Sequence, residues 1–448
     1  MASVGLDRIP VAPGALPLIG HTLRLGRDPL GFLRSLRQTG ELVQVRVGTL
    51  PVCFATSAAL IHEITVERAR SFEKGRLYDR VRPLVGNGLA NASGELHRTH
   101  RRLIQPVFHH TRIAGYAQIM SRRAVELADS WAHGERLAVD KVMGEYAVET
   151  LAETMFSTDI GRPAVEAVRR DLPVILKNML LRAASPRLFD RLPIRPNRDF
   201  DRATARMRSV IDTVVASTRR AGRTGQPDLL SLLLDARDEE TGAGLTDEEV
   251  RDELVTILFA GTETTASTLA WAFHELARHP EIERQVVAEV DEVVGRRPVT
   301  AADIPRLTTV RRVLDETIRL HGVTLLMRRT TEPVEIGGHL LPAGVETAFS
   351  LYAVHRDPAV YENPDRFDPD RWLPGRREAV PRTAFVPFGA GTRKCIGDAF
   401  SWTEATIVLA TVLARWRLRP TGDHVTREAA SAMAHPDHVP MTVRARTD

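Results

Sequence analysis

The chain has 448 residues, 43% of them hydrophobic and 26% charged, a globular balance with length enough to bury a large core without disulfides or structural metals. A net charge of +4 carries no nucleic-acid signature, and two cysteines, Cys53 and Cys395, do not make a secreted disulfide scaffold. The start lacks a charged segment followed by an apolar one, and no apolar run reaches the roughly 18 residues of a bilayer span, so a soluble cytoplasmic protein without membrane span or nucleic-acid partner is expected.

The first 40 residues read as loop, punctuated by Pro10, Pro13, Gly14, Pro17 and Gly20, and end in a short helical run. Residues 41 to 56 predict a hairpin, with Leu42, Val43, Val45 and Val47 before a Gly48-Thr49 turn and Val52 to Ala55 after it. Cys53 lies in this hairpin and reads as a buried small hydrophobe. From about 57 to 330 the apolar spacing is mostly helical, clearest at 113–132, 144–158 and 203–218. Gly222 to Pro227 is a breaker-rich loop too short to divide domains. The longest predicted helix starts after Thr246, where Glu249 completes a capping box and Asp247 and Glu248 favour the positive end. It stops at His279-Pro280. Short strands follow at 334–349, around Gly337-Gly338 and Pro342-Ala343-Gly344. Residues 356–397 are irregular, and a last helix is expected at about 398–416. With no internal repeat, residues 1–448 are expected to form one catalytic domain, mainly α with small β-sheets.

The irregular stretch ends in Phe388-Gly389-Ala390-Gly391-Thr392-Arg393-Lys394-Cys395-Ile396-Gly397. A lone cysteine there sits between glycines, which let the backbone approach a partner closely. Two cations and the start of a helix both favour a thiolate. Such a thiolate is a nucleophile or a metal ligand; as a nucleophile it needs a base, and no cysteine-hydrolase signature is present. The pattern Phe-x-x-Gly-x-Arg-x-Cys-x-Gly resembles that of the cytochrome P-450 family at every fixed position. The resemblance implies the P-450 fold, with its long central helix over the haem, and haem b as cofactor. It makes Cys395 the axial ligand, packs Phe388 against the haem and pairs Arg393 with a propionate.

Further motifs fit the same resemblance. The long helix carries Ala260-Gly261-Thr262-Glu263-Thr264-Thr265. Alone, Gly261 reads as a helix packing contact. In the family this segment widens a groove beside the haem, Glu263 and Thr264 form the acid–alcohol pair that relays protons, and Phe259 and Ala260 face the substrate. Glu316 and Arg319 share a helix face, as Glu95/Arg98 and Glu248/Arg251 also would; position singles out Glu316. Pro364-Asp365-Arg366-Phe367 resembles the family's Pro-Glu-Arg-Phe segment, and Arg366 is expected to complete a structural network with Glu316 and Arg319. Gly322-Val323 stands where proline is usual, which alters the adjoining substrate wall. His97 and Arg101 match the family's His-x-x-x-Arg propionate donors, and Arg328, rather than Arg329, is expected as a further one.

The segments Leu16 to Gly48 and His97 to Pro106 are also similar to actinobacterial oxidases of sesquiterpene pathways. The resemblance thus implies a monooxygenase of secondary metabolism that inserts one atom of dioxygen into an apolar small molecule, with a terpenoid as one option. Ferredoxin and ferredoxin reductase are the expected electron donors, docking near Arg393 and Lys394, because two cysteines cannot build an iron–sulfur cluster within the chain. Aliphatic pocket walls are expected near Leu77 to Leu89, Asn178 to Leu181, Val323 to Leu326 and Met433. The alternatives are a peroxide-driven haem peroxygenase, a non-enzymatic haem-binding protein and a haem-free cysteine-nucleophile enzyme. Peroxide-driven relatives lack the acid–alcohol pair, which is present here.

Overall fold

The computed structural model describes residues 6–156, 161–184, 192–221, 228–238 and 240–446, with side chains for all of these except 84, 176 and 179–184. The described residues fall into two compact units. One comprises Met1–Arg76, Thr309–Cys395 and Val425–Asp437; the other comprises Leu77–Thr308, Ile396–His424 and His438–Asp448. The loop expected at 222–227 lies outside the described residues.

The first unit is built on a five-stranded sheet. Leu42–Val47 (β1) and Leu50–Ala55 (β2) form the expected hairpin, turned at Gly48, whose φ of 61° favours glycine. Phe72–Lys74 (β3), Leu326–Thr330 (β4) and Glu346–Phe349 (β5) complete the order β1-β2-β5-β4-β3. β2 runs parallel to β5, and the other pairs are antiparallel. Alternation along the strands sends Val43, Val45, Val52 and Phe54 to one face, against Phe32, Leu33 and Leu36. It sends Leu42, Cys53 and Ala55 to the other, with Ile61, Ile64 and Phe349. Both faces are therefore core. Burial pushes the Cys53 thiol up to about 12, which leaves it an inert packing residue.

The second unit is mostly helical and adds a three-stranded sheet of Arg136–Ala138, Trp416–Pro420 and Pro440–Ala445. Its axis is the 32-residue helix Asp247–Arg278. The capping box sets its start: the Thr246 hydroxyl accepts from the Glu249 N–H at 3.2 Å, and the Glu249 carboxylate accepts from the Thr246 N–H at 2.8 Å. This helix is buried on most of its circumference, because helices Val139–Met155, Arg195–Ala221 and Asp398–Leu413 pack around it. The last of these stops at Leu413 rather than near 416, because Trp416 already pairs with Ala445 as a strand. No helix among the described residues is long and apolar enough to cross a membrane.

Candidate active site

Cys395 sits on a loop of the first unit that its glycines shape. Gly389 and Gly391 have φ of 73° and 68°, and a Cβ on Gly391 would collide with the Thr65 carbonyl. The loop closes on itself: the Cys395 N–H donates to the Phe388 carbonyl at 2.9 Å, and the Lys394 N–H to Gly391 at 3.1 Å. The thiol is solvent-exposed, Phe388 and Arg393 are half-buried, and helix Asp398–Leu413 begins three residues on. A tight turn that bonds its own N–H groups presents the thiol outward, the placement a metal-ligating thiolate needs.

Sequence reasoning missed His355, which carries this loop. Its Nε2 accepts the Val386 N–H at 3.3 Å, so the ring must be neutral there. Burial, then the nearby Arg319 guanidinium, lowers its pKa to about 3, which secures that state. The His355 carbonyl in turn accepts from Arg319 at 2.8 Å. Arg319 is fully buried on helix Thr308–Leu320 and holds Glu316 through two bonds of 2.8 Å. It also donates to the Pro364 and Arg366 carbonyls at 2.7 and 3.1 Å.

The expected Arg366 side-chain network takes another form. Arg366 is exposed and contributes its carbonyl. The second guanidinium near Glu316 is that of Arg371, at 3.5 Å, and the Trp372 indole and Asp368 N–H each donate to Glu316 at 3.0 Å. Asp368 and the following turn Pro369–Trp372 supply these groups, whereas the Arg366 side chain points to solvent. The result is a fully bonded buried ion pair that fixes the 355–386 segment leading into the cysteine loop.

A cluster of cations lies in the same unit. Lys74 on β3 pairs in register with Arg328 on β4. Burial, then the charges of Arg328 and Arg393, push the Lys74 ammonium pKa well below its usual value. Arg328 is buried, donates to the Met327 carbonyl at 2.8 Å and lies over the Phe349 ring. Arg329 instead pairs with Glu346 at 2.8 Å and Glu73 at 3.3 Å. Lys74, Arg328 and Arg393 bring three basic side chains beside the exposed thiol loop, a donor set that would fit the two propionates of a haem. Lys74 is a second residue that sequence reasoning missed. Near the same sheet, Val323 bridges Met433, and Leu326 pairs with Phe349; both Val323 and Leu326 are half-buried.

The second unit holds the remaining expected residues. His97 is buried and Arg101 half-buried, one turn apart on helix Gly94–Ile104. On the long helix, the Thr264 hydroxyl donates to the Ala260 carbonyl at 2.9 Å, Glu263 and Phe259 are half-buried, and Ala260 is exposed. A Cβ on Gly261 would come within 2.8 Å of the Leu151 side-chain tip, a helix packing contact that favours a small residue there. The segment after Arg76–Val85 is clamped to the long helix: Asn87 and Leu89 N–H groups donate to Asp252 and Glu253 at 2.9 and 3.0 Å. Asn178 is buried; the side chains of 179–181 lie outside those described. Glu404 on helix Asp398–Leu413, unmarked in the sequence reading, is buried, and burial raises its carboxyl to about 8 despite a bond with Thr265 of the long helix.

A family model for cytochrome P-450 matches residues 10–439, and the chain belongs to that family. It is a haem-thiolate monooxygenase with haem as its cofactor. Cyclooctatin synthase of Streptomyces melanosporofaciens is 42% identical, the alignment covering 92% of this chain and 90% of that protein. Cyclooctat-9-en-7-ol 5-monooxygenase of the same organism is 42% identical over 91% and 89% of the two chains. Pentalenene oxygenase of Streptomyces avermitilis is 36% identical over 97% of each chain. The crystal structure of the cytochrome P450DA haem domain superposes with a TM-score of 0.86 at 29% identity, over 98% of both chains.

Proposed function

We propose that the chain acts as one catalytic domain in the cytoplasm and inserts one oxygen atom of dioxygen into a C–H bond or alkene of a terpenoid. The observation that carries this is the exposed Cys395 thiol beside the Lys74–Arg328–Arg393 cluster. The terpenoid rests on likeness to proteins named for cyclooctatin and pentalenene oxidation, and on the aliphatic character of Val323, Leu326 and Met433.

In this reading Cys395 is the iron ligand and Phe388 packs against the haem. His97, Arg101, Arg328, Arg393 and Lys74 bind its propionates. When bound, the haem supplies the redox centre at which dioxygen is reduced, with thiolate donation favouring O–O cleavage. Phe259, Ala260, Val323 and Leu326 exclude water and orient the substrate. Thr264 can turn its hydroxyl away from the Ala260 carbonyl, and Glu263 beside it resupplies the proton. Glu316 and Arg319 hold the scaffold and touch no substrate. A ferredoxin reduced by ferredoxin reductase delivers electrons near Arg393 and the exposed Lys394.

The test is turnover of cyclic terpene hydrocarbons and alcohols under isotopically labelled dioxygen with a ferredoxin system. Label in one product oxygen supports the reading. Turnover by peroxide alone, with none through a reductase, overturns it.

A further inference from the structure

Exposed large apolar side chains gather at one place in the first unit: Val11, Leu16, Leu18, Ile19, Leu23 and Val47. Backbone pairing brings them together. Val11 bridges Gln44, Gly20 bridges both Leu16 and Val47, and the Gly48 N–H donates to the Ile19 carbonyl at 3.2 Å. Leu23 follows in helix Thr22–Arg27.

Leu18 stands at the apex. It is 83% exposed and has a φ of 64°, a left-handed conformation that leucine adopts only at a cost. Strain with no packing in return points to a use for the outward side chain. The turn is also rigid at its foot. His21 is fully buried and stacks on Phe32. Its Nδ1 accepts the Arg46 N–H at 2.9 Å, which leaves Nε2 to donate to the Ala12 carbonyl at 2.9 Å. The Thr22 hydroxyl donates to the Ile19 carbonyl and accepts from the Gly48 N–H.

The charge around the tip is predominantly basic. From Arg8 to Arg27 the sequence holds no acid, and Arg24, Arg27 and Arg46 are exposed. Asp28, the next acid, is exposed and accepts the Gly31 N–H as a helix cap.

We propose that this tip is a peripheral contact for an anionic lipid surface: Leu16, Leu18 and Ile19 enter the interface, and Arg24, Arg27 and Arg46 meet the headgroups. Apolar insertion combined with a basic rim is the chemistry of interfacial binding. A protein partner fits less well, since energetic protein contacts favour tryptophan and tyrosine over leucine and valine, and the tip carries no aromatic residue. No described helix spans a bilayer, so the contact lies on the surface. It would hold the molecule where apolar compounds dissolve, and it stands independently of the proposed substrate.

The test sediments the full-length, haem-loaded protein with phosphatidylserine-containing vesicles and with pure phosphatidylcholine vesicles, at low and raised salt. Binding to the anionic vesicles, weakened by salt, is expected. Leu18→Asp should lower the partition coefficient at least about tenfold and Arg27→Gln a few-fold. Aspartate tolerates the left-handed backbone, so the Soret band and thermal midpoint of Leu18→Asp should not fall. The proposal is overturned if neither vesicle sediments the protein, or if Leu18→Asp leaves binding unchanged. It is also overturned if the patch instead drives a concentration-dependent dimer that Leu18→Asp disperses.

Discussion

Cys395 owes its position to residues outside its own motif as well as within it. Gly391 clears the Thr65 carbonyl, His355 holds Val386, and Arg319 holds His355. The motif around the cysteine was legible because its requirements are local: a tight turn, a thiol and a cation within ten residues. Lys74 and His355 were not legible, because each gains its role from residues far away in sequence, Arg328 and Arg393 for one and Arg319 and Val386 for the other. Lys74→Met tests the first of these. A charge-assisted bond is worth about 1.5–3 kcal/mol, so haem transfer to apomyoglobin should quicken by roughly ten- to a hundredfold while the fold persists. An unchanged rate would remove Lys74 from the propionate site. Thr264→Ala should cut product formation on the order of a hundredfold and divert electrons to free peroxide, with haem content unchanged. Coupled turnover at the native rate would take Thr264 out of proton delivery.

At the scale of elements, two helices carry the predictions. On Thr308–Leu320, Glu316→Gln leaves the buried Arg319 charge without its counter-ion, a loss of about 3–5 kcal/mol. Its thermal midpoint should drop sharply; a midpoint within a degree or two of native would show the pair to be dispensable. On Asp398–Leu413, Glu404 titrates at about 8 in the folded chain against 4.5 for the free side chain. Below the lower value both states are protonated and nothing is lost. As pH rises from there through about 8, the unfolded chain ionises first, and stability falls by up to a few kcal/mol. Glu404→Gln should abolish that slope and be the more stable protein at pH 9, measured by denaturant midpoints across pH. The long helix was readable to the residue at its start, because Thr246 and Glu249 form a local capping box. β3 was not, since Phe72–Lys74 is three residues inside a helical run and exists only through pairing with β4. The β1-β2-β5-β4-β3 order likewise joins strands hundreds of residues apart, which no local pattern encodes.

At the scale of the whole molecule, the net charge of +4 is small, so electrostatic steering must come from local patches such as Arg393 and Lys394. The rate of reduction by an acidic ferredoxin should therefore fall steeply as salt is raised; a flat response would argue against docking there. The family resemblance extended along nearly the whole sequence because the motifs at His97, Glu263, Glu316 and Cys395 occur in a fixed order, and the family match over residues 10–439 agrees with it. Substrate choice stayed unreadable because the segments expected to wall a pocket, such as Leu77 to Leu89 and Val323 to Leu326, lie far apart in the chain. In the proposed reading, all of the chemistry rests on one bond from Cys395 to iron. The direct measurement is the absorption spectrum of the reduced carbonyl complex of Cys395→Ser that still binds haem. Loss of the thiolate-shifted Soret band is predicted; a spectrum that keeps it would contradict Cys395 as the ligand.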